Sequence, residues 1–201
     1  MNHIPIFPEI IGATELNTLP DSYIEECKDF IINKLELEPN YDSKNDYITK
    51  TQDILEIPIF NKLKQNIIKE AQEYIKELNI PPVDLQISTS WSYVAYKGNS
   101  QNKYHTHANS QFSGIFYLTE GGNLSFANTS YEKFTFSTGN FTENENKKNL
   151  FSITPYKKLL IFFPSYIPHQ ILPNNTIPRI SIPFNLVPKG KIGGSGFYLS
   201  L

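Results

Sequence analysis

The sequence predicts a mainly β domain of the jelly-roll kind, with N-terminal helices packed on one sheet, and three observations lead there. Helical periodicity is confined to residues 20–80. From residue 84 onward, short aromatic and β-branched runs are punctuated by Gly, Asn and Pro, as strands are. No helical pattern separates those runs, which argues for antiparallel sheets in a sandwich or barrel rather than βαβ units.

In the first segment, Ser22 and Glu25 form a capping-box pattern, and Tyr23, Cys27, Phe30 and Ile31 then fall on one apolar stripe. This predicts a helix from Ser22 to Leu35. A second stripe of Phe60, Leu63, Ile67, Ala71, Tyr74 and Leu78 keeps helical spacing until Pro81-Pro82 stops it. The connection from Glu38 to Thr51 is polar and aperiodic, and reads as a loop. The β runs are LQISTSWSYVAY, FSGIFYL, NLSFAN, KFTFS, LLIFF and RISIPFNLV. Ser130–Leu150 is rich in Asn, Lys and Glu and reads as a hairpin insertion or a lid over the substrate. The tail GKIGGSG lacks dinucleotide-loop spacing and reads as a flexible end. At 201 residues the expected organisation is one domain over 1–201, with a helical support region at 20–80 and a jelly-roll core at 84–188.

Composition excludes some function classes. Eighteen Lys+Arg against 20 Asp+Glu give a net charge of −2, which supports neither a polybasic nucleic-acid surface nor an acidic tail. No window approaches the roughly 18 apolar residues of a membrane-spanning helix. A single cysteine, Cys27, and an N-terminus without the marks of a signal peptide point to a reducing cytoplasm.

Two residue types are scarce, and their placement is informative. There are four histidines and one arginine. His105 and His107 form H-T-H, and on a strand residues i and i+2 share a face, so both imidazoles can reach one metal ion. A surface or hydrogen-bonded pair is the alternative. His169 follows the buried-strand run LLIFF and a Pro164–Pro168 turn, where it is either a third ligand or a satisfied core histidine. PNNTIP is a turn cluster, so His169–Leu172 and Arg179–Asn185 are expected as adjacent antiparallel strands, bringing Arg179 near His169. Arg179 and Ser181 share one strand face while Ile180 and Ile182 point into apolar packing. No Asp or Glu follows Glu145 to pair with Arg179 locally, and a buried guanidinium must be paired. A carboxylate ligand held bidentately with help from a hydroxyl would serve, as would a salt bridge to a distant acid.

The order H-x-H, then FPxxxxH, then R-x-S ten residues after the last histidine resembles the 2-oxoglutarate/Fe(II)-dependent oxygenase superfamily, whose pattern is H-x-D/E, a distant H, and R-x-S. The stretches HTHANSQFSGIFYL and FFPSYIPHQILPNNTIPRISIPFN are similar to its prolyl-hydroxylase-like relatives and to a branch found in phages and marine bacteria. The resemblance covers residues 91–187. It implies a double-stranded β-helix, cupin-like, with iron at the barrel mouth. His105, His107 and His169 would bind Fe(II). Arg179 and Ser181 would take the distal carboxylate of 2-oxoglutarate, with Tyr117 on the same carboxylate and Tyr96 as a second cosubstrate-pocket tyrosine. Trp91, Gly114 and Asn185 also match the branch. The implied reaction consumes O₂ and 2-oxoglutarate, hydroxylates a substrate C–H and releases succinate and CO₂. The substrate would be a small molecule or a peptide, and a homodimer is left open.

One departure stands out: His107 occupies the place of the usual carboxylate ligand. Either three imidazoles hold the metal, or His107 points away and leaves its position to water, a halide or Asn109. Two rival functions remain at this level. One is a three-histidine cupin-like dioxygenase that needs no keto acid. The other is a non-catalytic jelly-roll module, structural or carbohydrate-binding, in which the histidines only stabilise the barrel.

Overall fold

A computed structural model describes residues 9–40, 46–96, 103–127, 150–173, 178–194 and 197–200. The chain begins with β1 (Gly12–Glu15) and α1 (Asp21–Lys34), then β2 (Leu37–Pro39) and β3 (Asp46–Thr49). Two 3-10 turns, Ile54–Glu56 and Pro58–Phe60, lead into α2 (Asn61–Glu77). The β region follows as β4 (Leu85–Ser90), β5 (Tyr93–Ala95), β6 (Phe112–Tyr117), β7 (Leu124–Ala127), β8 (Leu150–Ile153), β9 (Leu159–Pro164), β10 (His169–Ile171) and β11 (Arg179–Pro188). A terminal hairpin is made by β12 (Lys191–Gly194) and β13 (Phe197–Ser200).

The major sheet has eight strands in the order β1-β9-β6-β11-β5-β3-β2, with β4 also on β11. A minor sheet has the order β10-β7-β8. Every strand pairing is antiparallel. Strand β11 is the spine: β6 lies along one edge, while β4 and β5 share the other on either side of the break at Trp91-Ser92. The mainly β jelly-roll expectation with helices on one sheet therefore holds.

Side-chain alternation divides the major sheet into two faces, as a period of two requires. Val94, Phe116, Leu160, Phe162, Ile180, Ile182 and Phe184 pack with Ile24, Ile31, Leu63, Ile67 and Ala71 of the helices. Tyr93, Ala95, Ile115, Tyr117, Ile161 and Phe163 turn the other way and meet Leu124, Phe126 and Ile171 of the minor sheet. Both faces are covered, so β6 and β9 are buried along their whole length and read in sequence as continuous apolar runs.

Several expectations need correction. Helix α1 starts at Asp21 behind an extended Pro20, and no side chain caps it, so Ser22 and Glu25 lie inside the helix rather than forming a capping box. Helix α2 ends at Glu77, before Pro81, and Asn79 takes a left-handed φ of 56°. The stretch from Glu38 to Thr51 is no plain loop: β2 and β3 form an edge hairpin on β5, whose unpaired backbone supplies the order that the polar sequence does not advertise. The tail is not a free end but a two-stranded hairpin. Strands β10 and β11 are not neighbours, because β10 pairs with β7 in the minor sheet while β11 centres the major one. The run KFTFS and residues 130–149 of the expected lid lie outside the described residues.

Candidate metal and carboxylate site

The H-T-H segment runs alongside β10. The His105 N–H donates to the His169 carbonyl and the His169 N–H to the His105 carbonyl, each at 3.0 Å. The His107 N–H donates to the Ser165 carbonyl at 3.0 Å. His105 therefore faces His169 across an antiparallel bridge, and His169 in turn faces Phe126. Directly opposed residues share a face, so these side chains line the space between the sheets. The ring of His169 lies 4.5 Å from that of His105 and 5.0 Å from that of His107. One nitrogen from each of the three lies within 4.8 Å of the others, and His107 does not point away from the pair.

Each ring is held through Nδ1. His105 Nδ1 donates to the Lys103 carbonyl at 2.9 Å, and His169 Nδ1 to the Ile167 carbonyl at 3.0 Å. Nδ1 of His107 lies 2.6 Å from Asn185 Oδ1 and 3.0 Å from Ser113 Oγ. Carbonyl oxygens only accept, so Nδ1 carries the proton and Nε2 keeps the lone pair that a metal needs. Burial holds His107 below its usual pKa and pushes His169 down to about 3, so both stand neutral near pH 7. Three imidazoles with ligand nitrogens this close together fit one divalent transition metal.

Deeper in the same face sits Arg179, fully buried. It opens β11 opposite Ala95, and Ser181 lies between Tyr93 and Tyr117 on the flanking strands. The guanidinium stands over the Tyr93 ring at 5.0 Å, and Nη2 donates to Ser181 Oγ at 3.3 Å. Nε and Nη1 have no hydrogen-bond partner among the described residues. Two such donors pointed into a protein interior match a bidentate carboxylate. Burial raises the Tyr117 phenol to about 12, so it stays a neutral donor. The Tyr93 phenol bonds the carboxylate of Asp46, itself buried, on β3.

A cavity of about 340 Å³ is lined by the three histidines, Trp91, Tyr93, Ile115, Ile171 and Pro183, with Asn40, Ile48 and Gln52 from the N-terminal half; Arg179, Ser181 and Tyr117 are not on its wall, and Tyr93 is the residue shared by the cavity and the arginine's surroundings. Tyr96 is elsewhere: it is 39% exposed and packs edge-to-face on Tyr47 at 5.5 Å. Asn109 sits in the turn after the histidine pair, at a φ of 56°. Sequence reasoning missed Tyr93, although its strand parity with Ala95 placed it on the interior face. It missed Ser113 in the same way, since Ser113 shares its strand face with Ile115 and Tyr117. No local signal marks Asp46, which reaches the site only because β3 pairs with β5.

A family described as "Putative 2OG-Fe(II) oxygenase" matches residues 89–185, just under half of the chain. Among solved structures, HygX of Streptomyces hygroscopicus with nickel and 2-oxoglutarate bound superposes with a TM-score of 0.58 at 12% identity, covering 90% of this chain and 83% of that one. A prolyl-4-hydroxylase of Pseudomonas putida gives a TM-score of 0.58 at 14% identity, over 88% of this chain and 92% of that one. A viral collagen prolyl hydroxylase of Paramecium bursaria Chlorella virus-1, in its 2-oxoglutarate complex, gives 0.56 at 14% identity, over 88% and 94%. At these identities the likeness is one of fold. No curated protein matches.

Proposed function

We infer that this chain, whose residues 89–185 match the 2OG-Fe(II) oxygenase family, is a 2-oxoglutarate- and Fe(II)-dependent dioxygenase that hydroxylates a C–H bond of a small-molecule or peptide substrate. The balanced reaction takes substrate–H, O₂ and 2-oxoglutarate to substrate–OH, succinate and CO₂. Bound iron supplies the oxidative chemistry. Everything else falls to the protein.

His105, His107 and His169 would hold the metal through Nε2, each ring oriented by its bonded Nδ1–H. Their mutual distance, within 4.8 Å, supports that role. Arg179 would grip the distal carboxylate of 2-oxoglutarate, helped by the hydroxyls of Ser181 and Tyr117. The observation that carries the assignment is the pair of unpartnered guanidinium nitrogens on a fully buried arginine. A buried charge left this way costs several kcal/mol, and a carboxylate removes the cost. With no carboxylate among the ligands, metal and cosubstrate together are neutral rather than singly negative. Ile115 and Ile171 give the cavity apolar walls beside the histidines. The helical region 20–80 would serve as support for the core at 84–188 by covering the far face of the major sheet. No helix among the described residues is long and apolar enough to cross a membrane, and the buried free thiol of Cys27 suits a reducing cytoplasm.

The test is calorimetric titration of 2-oxoglutarate into the metal-loaded protein, with succinate measured in parallel. Wild type binds and forms succinate. Arg179→Ala weakens binding by about 10- to 100-fold, as loss of charge-assisted hydrogen bonds does. Unchanged binding in that variant refutes the anchor. No binding to metal-loaded wild type refutes use of the keto acid and favours a three-histidine dioxygenase acting without it.

A further inference from the structure

His107 differs from the other two histidines in what holds it. His105 and His169 each rest on a backbone carbonyl two residues away, so their tautomers follow from chain geometry. His107 rests on a side-chain amide, which can rotate. Asn185 Oδ1 lies 2.6 Å from its Nδ1, and the Asn185 amide nitrogen donates to Thr89 Oγ1 at 2.8 Å. Ser113, fully buried, lies 2.9 Å from the same Oδ1 and 3.0 Å from the same Nδ1, and its hydroxyl also meets Ser165 Oγ at 2.8 Å. Thr89 and Asn185 are direct register partners beside the β-bulge where β4 leaves the regular ladder, and bulges near sites re-aim side chains.

This arrangement has two self-consistent states. With the amide oxygen toward His107, the imidazole carries its proton on Nδ1 and offers Nε2. With the amide reversed, its NH₂ faces Nδ1, Thr89 donates to the amide oxygen, and the proton moves to Nε2, where the ring cannot bind metal. We propose that Thr89, Asn185 and Ser113 are positioning residues that select the first state, so that a third imidazole can stand where the superfamily's pattern has a carboxylate. In the observed arrangement Thr89 accepts from the amide nitrogen while the amide oxygen faces His107. Ser113 donates to that oxygen, and reversal of the amide requires both hydroxyls to turn, Ser113 to accept and Thr89 to donate. The inference rests on the three-histidine metal reading, and it adds residues on three other strands, β4, β6 and β11, to that reading.

Long-range proton–nitrogen NMR on metal-free protein reads the tautomer directly, without activity or metal. His107 is expected with its proton on Nδ1 in wild type and in Asn185→Asp, whose carboxylate can only accept, and with a mixed or reversed tautomer in Asn185→Ala and Ser113→Ala. Calorimetry with Co(II) then follows affinity. Asn185→Ala is expected to lose about 10- to 100-fold, the usual effect of removing a group that orients a ligand, while Asn185→Asp keeps wild-type affinity or exceeds it. A wild-type His107 protonated on Nε2, or equal loss in Asn185→Asp and Asn185→Ala, overturns the proposal. Should Asn185→Ala not fold, Asn185→Asp decides, because an affinity well below wild type contradicts it alone. His107→Ala separates the two levels: unchanged Co(II) affinity there means that the metal reading itself has failed, whatever the tautomer.

Discussion

Arg179 and Cys27 show opposite uses of burial. Desolvation drives the guanidinium below its ordinary pKa, and nearby oxygens on Tyr117, Tyr93 and Asp46 oppose that shift. The sequence offered no acid after Glu145 as its partner. The structure brings one near from β3: Asp46 bonds the phenol of Tyr93, whose ring the guanidinium overlies, without pairing with the guanidinium itself. Around Cys27 the Tyr23 phenol only partly offsets the effect of burial. Cys27 is fully buried in the helical core, and burial pushes its thiol up to about 11 from an ordinary 9.0. A thiol reagent at pH 8 should therefore leave native Cys27 unmodified and label it only when denaturant is added. The same shift has a stability signature. Below about pH 9 both states hold the proton and the term is constant. Between about 9 and 11 only the unfolded thiol ionises, so stability falls as pH rises, by about 1.4 kcal/mol per pH unit. Denaturant titrations across that range should show a smaller slope in Cys27→Ala, and equal slopes would contradict the burial.

At the scale of elements, the two-residue alternation of β6, β9 and β11 does most of the positioning. Strand β11 sends Ile180, Ile182 and Phe184 to the helices and Arg179, Ser181 and Asn185 to the site, so one strand serves the core and the chemistry together. Its contact with β6 depends on a missing side chain. A Cβ at Gly114 would stand 2.3 Å from Phe184 Cζ and 2.7 Å from the Ile161 carbonyl oxygen. Phe184 could turn aside, but the β9 backbone could not without opening the sheet. Gly114→Ala should therefore cost about 1–3 kcal/mol or more by overpacking, read as a lower denaturation midpoint. Adding Phe184→Leu should restore only part of it, because the carbonyl contact remains. Full recovery would mean that the ring alone sets the limit.

For the whole molecule, metal binding at the proposed site would couple to folding, because the three histidines come from two segments that the unfolded chain does not hold together. At one hundred times its dissociation constant, a metal that binds only the native state adds about 2.7 kcal/mol, which raises the melting temperature of a domain this size by about 5–10 °C. Co(II) or Ni(II) should produce such a rise in wild type and none in His169→Ala. A rise of equal size in that variant would place the metal elsewhere.

Much of this was legible in the linear chain because it depends on local periods and on rare residues. The helix stripes, the β runs, and the order of His105, His107, His169, Arg179 and Ser181 need no knowledge of the fold to be seen. What stayed hidden depended on partners far away in sequence. The hairpin of β2 and β3 is strand only because β5 presents an open edge, and Asp46 reaches Tyr93 by that route. Residues β10 and β11 carry adjoin in sequence, yet the two strands belong to opposite sheets, and no turn signal distinguishes a hairpin from a crossover. Tyr96 and Tyr93 look alike as letters, but only one shares the interior parity. Residue types and spacing thus settled which chemistry the chain could host. Pairing between distant strands, where backbone groups must find partners and each face must be covered, decided which side chains meet.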